Sequence, residues 1–230
     1  MITLHQFALS PFSDKIIRIL HFKGLHYRIQ EYPLMSKAVK RVNPIGKLPC
    51  LEDNGQLIAD STDIAYHLEQ QYPQRSVIPE ESAQQAMVHV LEDWADESLY
   101  YYEMQMRFGL PENGQHNIPR MLVNNRGLSH WFLSKVLPKG ILSVTKNQGV
   151  GKKSIKQLVI DIDRHFIAVD KLLINSDWLV GSQLTLADLA VFSMFNCLKD
   201  AEQALACLLQ YPRIEAWMND VRELTDEPVE

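Results

Sequence analysis

The sequence NPIGKLPCLED at residues 43–53, followed by IADS at residues 58–61, decides the fold of this chain. It places a tight turn and a proline at the start of one strand, a hairpin turn at residues 53–55, and a helix N-terminus at residues 60–61. The N-terminus of a helix favours an anion, and an unpaired strand segment can accept an added strand. This compact unit is therefore suited to hold an extended peptide and its carboxylate.

Upstream and downstream of this unit, strands are predicted to alternate with helices. Apolar periodicity and turn residues predict strands at 2–7, 26–31, 48–52 and 56–59, and helices at 11–23, 36–42 and 62–72. This order predicts a βαβ unit followed by a hairpin on the same sheet, with helices on both faces. No apolar period crosses residues 73–79, which indicates a linker.

After the linker the pattern is helical. Helices are predicted at 81–108, 152–173 and 212–224, and Thr185 with Asp188 forms a capping box before the apolar run 189–195. Residues 111–151 contain Gly, Asn or Pro every few positions and receive no assignment. The fold class is thus α/β plus all-α.

Composition restricts the function. The chain has 230 residues, a formal charge of −5, and 46% hydrophobic residues, which is typical of a globular protein and argues against a nucleic-acid partner. No apolar run reaches about 18 residues and no secretory segment follows Met1, so we expect no membrane partner and a cytoplasmic location. Cys50, Cys197 and Cys207 lack metal spacing, as do the eight histidines, so we expect reduced, buried thiols and no metal.

Four motifs in this order resemble the cytosolic glutathione S-transferase superfamily. They are Ser10-Pro11-Phe12-Ser13, Gly46-Lys47-Leu48-Pro49, Asp60-Ser61 and Leu184-Thr185-Leu186-Ala187-Asp188. The resemblance spans nearly the whole chain except the middle of the helical part. It implies a thioredoxin-like glutathione-binding domain at 1–75, an all-helical domain at 82–230 that contributes the electrophile pocket, a homodimer, and a role in detoxification.

The resemblance also implies a glutathione site. The bond before Pro49 would be cis, so that the backbone of Leu48 pairs with the cysteinyl part of the peptide. Asp60 and Ser61 would hold the γ-glutamyl end at a helix N-terminus, although relatives commonly carry Glu or Gln where Asp60 stands. Lys47 would face the glycyl carboxylate and Phe12 would border the peptide. Each residue also has a purely structural alternative. Pro49 could be a trans proline at an edge strand, Asp60 or Ser61 only an N-cap, and Lys47 a solvated surface lysine.

Ser10 stands where theta-, zeta- and phi-like members carry a catalytic serine and omega-like members a cysteine, and Ser13 is the second choice. Lowering a thiol pKa from about 8.5 by about two units needs roughly 2.7 kcal/mol. A hydrogen bond to the charged sulfur supplies about 1.5–3 kcal/mol and a helix N-terminus about 0.3–1 kcal/mol. One serine hydroxyl is therefore enough to hold a thiolate, and the alternative is an N-cap with Pro11 at the first helical position.

The sequence says less about the second substrate than about glutathione. Tyr101, Met104 and Phe108 could line an apolar pocket for a small electrophile, although helical spacing also suits Tyr101 and Phe108 to core or dimer contacts. The function expected is glutathione S-transferase, with glutathione as co-substrate. The alternatives are a zeta-like glutathione-dependent isomerase and a non-catalytic, transferase-like binding or regulatory module.

Overall fold

The computed structural model describes residues 1–226, so the last four residues of the predicted domain 82–230 lie outside it. A four-stranded sheet is formed by β1 (Ile2–Gln6), β2 (Tyr27–Glu31), β3 (Cys50–Asp53) and β4 (Gln56–Ala59), in the order β2-β1-β3-β4. β1 runs parallel to β2 and antiparallel to β3, and β3 runs antiparallel to β4. The predicted βαβ unit with a hairpin on the same sheet is confirmed.

Helices cover both faces of this sheet, as predicted. They are α1 (Pro11–Phe22), α2 (Val39–Val42) and α3 (Ser61–Gln71). Successive residues of a strand point to opposite faces. Leu51 accordingly lies in the main core with the apolar residues of α1 and α3, whereas its neighbour Cys50 packs with Val39 of α2.

Three elements begin two or three residues later than predicted: α2, β3 and the helix predicted at 152–173, which begins at Ile155 because Ser154 is its N-cap. α2 begins at Val39 rather than residue 36, because three-residue turns, such as Val39 N–H to Ser36 O, precede it. β3 begins at Cys50 rather than residue 48. Pro49 has no N–H to contribute to a sheet ladder, so the ladder starts after it.

The rest of the described chain is helical. Its elements are α4 (Ser82–Trp94), a π segment (Ala95–Leu99), α5 (Tyr100–Met104), a second π segment (Gln105–Gly109), α6 (Pro111–Met121), α7 (Gly127–Gln148), a 3₁₀ turn (Val150–Lys152), α8 (Ile155–Leu172), α9 (Leu186–Leu198), α10 (Glu202–Leu208) and α11 (Pro212–Thr225). The helix predicted at 81–108 is one continuous helix from Ser82 to Gly109, called the rod below, that is interrupted by the two π segments. Residues 111–151, which received no assignment from the sequence, contain α6 and α7. None of the helices within residues 1–226 is long and apolar enough to cross a membrane.

α9 is the centre of the helical part. All of its residues except Asn196 are buried, as expected for a helix that is apolar on every side. Its predicted capping box is present: Asp188 Oδ2 accepts from the Thr185 N–H at 2.9 Å and from its hydroxyl at 2.7 Å. Asp188 Oδ1 accepts from Leu179 N–H at 2.8 Å and from Trp217 Nε1 at 3.0 Å. Burial raises the pKa of Asp188, and these four donors oppose that rise.

α1 joins the sheet to the helices. It packs on α9, so the two parts of the chain share one continuous core. The guanidinium of Arg18 lies 4.1 Å from the ring centroid of Phe192 in α9. This packing sets the N-terminus of α1 at the junction between the sheet and the helical part.

Candidate functional site

A cavity of about 720 Å³ lies at this junction, which is a normal size for a small-molecule site. Its walls are the N-terminus of α1, the turn before β3, the N-terminus of α3 and the rod from α4 to the second π segment. All the site residues named from the sequence except one line it: Ser10, Phe12, Lys47, Leu48, Pro49, Asp60, Ser61, Tyr101, Met104 and Phe108. The exception is Ser13.

Ser10 is the N-cap of α1, with Pro11 at the first helical position. Its Oγ accepts a long hydrogen bond of 3.4 Å from the Ser13 N–H. Capping uses a lone pair of the oxygen, and the hydroxyl hydrogen has no acceptor in the part of the chain described. The capping role therefore leaves Ser10 able to donate into the cavity.

Ser13 lies on the inner side of α1. Its side chain is 1% exposed, and its hydroxyl has no hydrogen-bond partner within residues 1–226. It does not line the cavity. Of the two serines, only Ser10 lines the cavity.

The turn before β3 is organised by Asn43. Its Oδ1 accepts from Ile45 N–H at 3.0 Å, and its Nδ2 donates to the Lys47 carbonyl at 2.9 Å. Gly46 has φ +80°, a conformation that side-chain-bearing residues rarely adopt. This turn leaves Lys47 exposed at the cavity.

The Leu48–Pro49 peptide bond is cis, as predicted. Leu48 lies before the first residue of β3, and neither its N–H nor its carbonyl has a hydrogen-bond partner among the described residues. The backbone of Leu48 is thus free to pair with an extended peptide.

At the N-terminus of α3, Asp60 is the N-cap. Asp60 has φ +80°, and its Oδ1 accepts from Thr62 N–H at 2.9 Å. The backbone N–H of Ser61 has no partner within residues 1–226, so it is available to an anion. The hydroxyl of Ser61 points elsewhere, because it donates to Asp96 Oδ2 at 3.4 Å.

Beneath α3 lies a buried ionic cluster of Lys15, Glu92 and Asp96. Lys15 Nζ donates to Glu92 Oε1 at 2.7 Å and to Asp96 Oδ2 at 2.6 Å, and its side chain is 1% exposed. Thr62 Oγ1 also donates to Glu92 Oε1, at 2.6 Å. The cluster therefore ties α1 and α3 to the rod, and Glu92 and Asp96 also line the cavity.

Burial governs the ionisation of this cluster. Burial lowers the pKa of Lys15, but the carboxylates of Asp96 and Glu92 outweigh it and the net shift is upward. Burial raises the pKa of Asp96 to about 6 against the attraction of Lys15, and the Glu92 carboxylate adds to the rise. The sequence pattern did not predict this cluster. Its one local signal is the four-residue spacing of Glu92 and Asp96, which puts both acids on one helix face.

The far wall of the cavity is aromatic. The rings of Phe12 and Tyr100 meet with centroids 4.9 Å apart, and burial raises the pKa of the Tyr100 phenol. Beside them, buried Arg107 donates to the Leu9 carbonyl at 3.1 Å and to Glu103 Oε1 at 2.7 Å. This contact connects the rod to the residue that precedes Ser10.

No group of three or more His, Cys, Asp or Glu side chains in the described residues is placed to hold a metal ion. Cys50, Cys197 and Cys207 are free and buried, as predicted. Burial raises the pKa of Cys50 to about 11. None of the three thiols lines the cavity.

Two family models match the chain. The glutathione S-transferase N-terminal domain matches residues 4–76, and the glutathione S-transferase C-terminal domain matches residues 132–224. Glutathione S-transferase U2 of Arabidopsis thaliana is 21% identical over 95% of this chain and 82% of its own length. Protein LigF of Sphingobium sp. strain SYK-6 is 22% identical over 85% of this chain and 78% of its own length.

Solved structures show the same fold. A glutathione S-transferase from Rhodospirillum rubrum F11 superposes with a TM-score of 0.70 at 19% identity, covering 100% of this chain and 94% of its own. The beta-etherase LigF superposes with a TM-score of 0.68 at 20% identity, covering 99% of both chains. With both domain models in the expected order and this fold around the cavity, the chain belongs to the glutathione S-transferase superfamily.

Proposed function

We propose that this chain is a glutathione transferase that holds the glutathione thiolate for attack on a small electrophile. One observation carries the proposal. The free hydroxyl of Ser10, the unpaired backbone of Leu48 and the N-terminus of α3 at Ser61 all open onto one cavity. A thiol peptide with a carboxylate at each end needs these three kinds of group.

The γ-glutamyl end would lie at α3. The N–H of Ser61 and the positive end of the helix favour its carboxylate, while the carboxylates of Asp60 and Asp96 line the same part of the cavity and favour its ammonium group. Leu48 would pair with the cysteinyl backbone, and Lys47 would attract the glycyl carboxylate. Phe12 would border the peptide near its sulfur.

Ser10 would act on the sulfur. Its hydroxyl donates a hydrogen bond to the thiolate, and the thiol proton passes to solvent. The sulfur electron pair then forms a carbon–sulfur bond while the leaving group of the electrophile departs with its own electron pair. Tyr101, Met104 and Phe108 supply apolar surface for that electrophile.

One class of electrophile is suggested by a relative. The LigF structure is described as that of a beta-etherase. In that reaction class the glutathione sulfur would attack the carbon of a C–O bond and displace the oxygen. An ether therefore belongs in the substrate panel beside halogenated and unsaturated acceptors.

The test is calorimetric titration of glutathione into wild type, Ser61→Ala and Ser10→Ala, with Ser13→Ala as the matched control. Ser61→Ala keeps the backbone N–H but breaks the 3.4 Å hydrogen bond that orients Asp96, so it should weaken binding by up to about tenfold, which is about 1.4 kcal/mol. Ser10→Ala should bind glutathione normally but lose the ultraviolet absorbance of the thiolate near neutral pH. Ser13→Ala should retain that absorbance, because Ser13 does not face the cavity.

The outcomes separate the alternatives. Binding with no thiolate and no turnover on any acceptor would favour a non-catalytic binding or regulatory module. Isomerisation with glutathione recovered unchanged would favour the zeta-like isomerase. An absence of glutathione binding would refute all of the enzyme proposals.

The proposal extends to the setting of the enzyme. A homodimer is proposed because members of this family typically form dimers, and light scattering of the purified protein measures it. Three free cysteines suit the reducing cytoplasm, where a detoxifying conjugation would meet abundant glutathione.

A further inference from the structure

One face of α7 exposes large apolar side chains that nothing in the described structure covers. Leu128 is 86% exposed, Trp131 64%, Phe132 57% and Val136 36%. Trp131 and Phe132 follow Leu128 by three and four residues, and Val136 follows Phe132 by four, so the side chains lie together on one side of the helix. Scattered exposed apolar residues are normal, but a contiguous patch of this kind marks an interaction surface. We call this patch, with the lysines described next, the α7 face.

The α7 face is also basic. Lys135, Lys139 and Lys146 are exposed and follow Leu128 at intervals of 7, 11 and 18 residues, which places them on the same side of the helix. Residues 113–160 contain eight Lys and Arg and no Asp or Glu, although the whole chain has a net charge of −5. This stretch therefore carries a formal net charge of +8, although Arg120 and Lys153 are paired with Asp200 and Asp161.

We propose that the α7 face docks the protein on the surface of an anionic lipid membrane. The Trp, Phe and Leu side chains lie in the first turns of α7 and the lysines lie farther along the same side, without acidic residues, so the apolar side chains would enter the headgroup region while the lysines contact anionic headgroups. A nucleic acid would meet the lysines but would leave aliphatic Leu128 and Val136 in water. A lipid surface accommodates both sets of side chains. The expectation of no membrane partner rested on the lack of a spanning segment, which this mode of binding does not need.

The α7 face begins beside the cavity. Val123, which precedes α7, is 70% exposed and also lines the cavity. Docking through α7 would therefore bring the rim of the cavity close to the lipid. The docking proposal rests on α7 alone and does not depend on the proposed chemistry.

The test is flotation of the purified full-length protein with vesicles of phosphatidylcholine containing one quarter phosphatidylglycerol. We expect binding to these vesicles that is at least tenfold stronger than to phosphatidylcholine alone and that weakens in 0.5 M salt. Trp131 is the most exposed tryptophan of the described chain, so its emission should shift to the blue on binding. Failure of the wild-type protein to bind anionic vesicles overturns the proposal.

Two variants divide the apolar and charged contributions. Trp131→Ser/Phe132→Ser and Lys135→Glu/Lys139→Glu should each reduce vesicle affinity at least tenfold. The controls make equal changes at other exposed positions, Ile174→Ser/Leu209→Ser and Arg28→Glu/Lys171→Glu, and should bind as wild type does. All eight side chains are exposed, so thermal unfolding should be unchanged in every variant.

Three further results would overturn the proposal. The first is an equal loss of binding in the controls. The second is a wild-type dimer that Trp131→Ser/Phe132→Ser converts to a monomer, since the α7 face would then join two copies of the chain. The third is binding to single-stranded DNA as tight as to the anionic vesicles, which would make the surface a polyanion site.

Discussion

Replacing Lys15 by methionine should destabilise the protein strongly and in a pH-dependent way. Lys15 is buried between Glu92 and Asp96, at 2.7 and 2.6 Å, and those carboxyl groups are themselves only 3% and 11% exposed. Methionine fills similar space without a charge. The variant leaves two carboxylates facing each other away from solvent.

The magnitude follows from the burial. Removing one partner of a buried ion pair costs about 3–5 kcal/mol. With Lys15 in place, the pKa of Asp96 is already raised from 3.8 to about 6. That shift corresponds to roughly 3 kcal/mol against the ionised form. We expect Lys15→Met to lose about 4 kcal/mol at pH 8, which is a large part of the roughly 5–15 kcal/mol that stabilises a typical protein.

The sign of the pH dependence is fixed by the direction of the shift. Asp96 has a folded-state pKa above its unfolded value, so its contribution to stability is full below about pH 4 and is lost as pH rises through about 6. Without Lys15 the folded-state pKa rises further. The deficit of Lys15→Met should therefore be small near pH 4 and largest above pH 7.

Guanidinium unfolding at pH 5 and pH 8 measures this effect. The control is Lys15→Met/Glu92→Gln/Asp96→Asn, which removes all three charges and should recover most of the lost stability. Because Ser61 and Thr62 donate to the same two carboxyl groups, Lys15→Met should also weaken glutathione binding. A stability within 1 kcal/mol of wild type at pH 8, or a deficit that does not change with pH, would refute the reasoning.

Three other predictions concern buried polar groups. Between pH 4 and pH 7 the free energy of unfolding of Asp96→Asn should rise relative to that of wild type by up to about 3 kcal/mol, because only wild type must ionise a buried carboxyl group. An equal difference between variant and wild type at the two pH values would contradict this. Asp188→Ala orphans four donors and should cost about 3–5 kcal/mol in denaturant unfolding, whereas a loss under 1 kcal/mol would show that the capping box is dispensable. Arg107→Met/Glu103→Gln removes the donor to the carbonyl of Leu9, the residue before Ser10. The thiolate absorbance of bound glutathione should then appear at higher pH, while glutathione affinity stays within twofold. An unchanged titration would show that Arg107 does not position Ser10.

Much of the fold follows from local pattern. The strands and helices around residues 43–61 are bounded by Gly, Pro and Asn at turns whose conformations those residues favour, such as Gly46 with φ +80°. The capping box of α9 was predictable for the same reason, since Thr185 and Asp188 are three residues apart. The cis bond before Pro49 came from a family resemblance, not from the local pattern.

The helices at 111–148 could not be predicted, because their propensity is poor and their stability comes from distant contacts. Asn113 and Asn117 are unfavourable inside a helix when exposed. Here both are buried, and their side chains donate to the carbonyls of Met106 at 2.8 Å and Arg107 at 3.1 Å in the second π segment. Tertiary hydrogen bonds override the local preference of these residues.

The sequence by itself determined the two-part architecture and the motifs that supply Ser10, the turn before Pro49 and the N-terminus of α3. Only the tertiary structure decided that these open onto one cavity, that Lys15 meets acids 77 and 81 residues away, and that one side of α7 is left exposed. The physical reason is the distance along the sequence over which each kind of interaction acts. Periodicity, caps and turns depend on neighbours a few residues apart, whereas burial and charge pairing depend on which distant elements pack together.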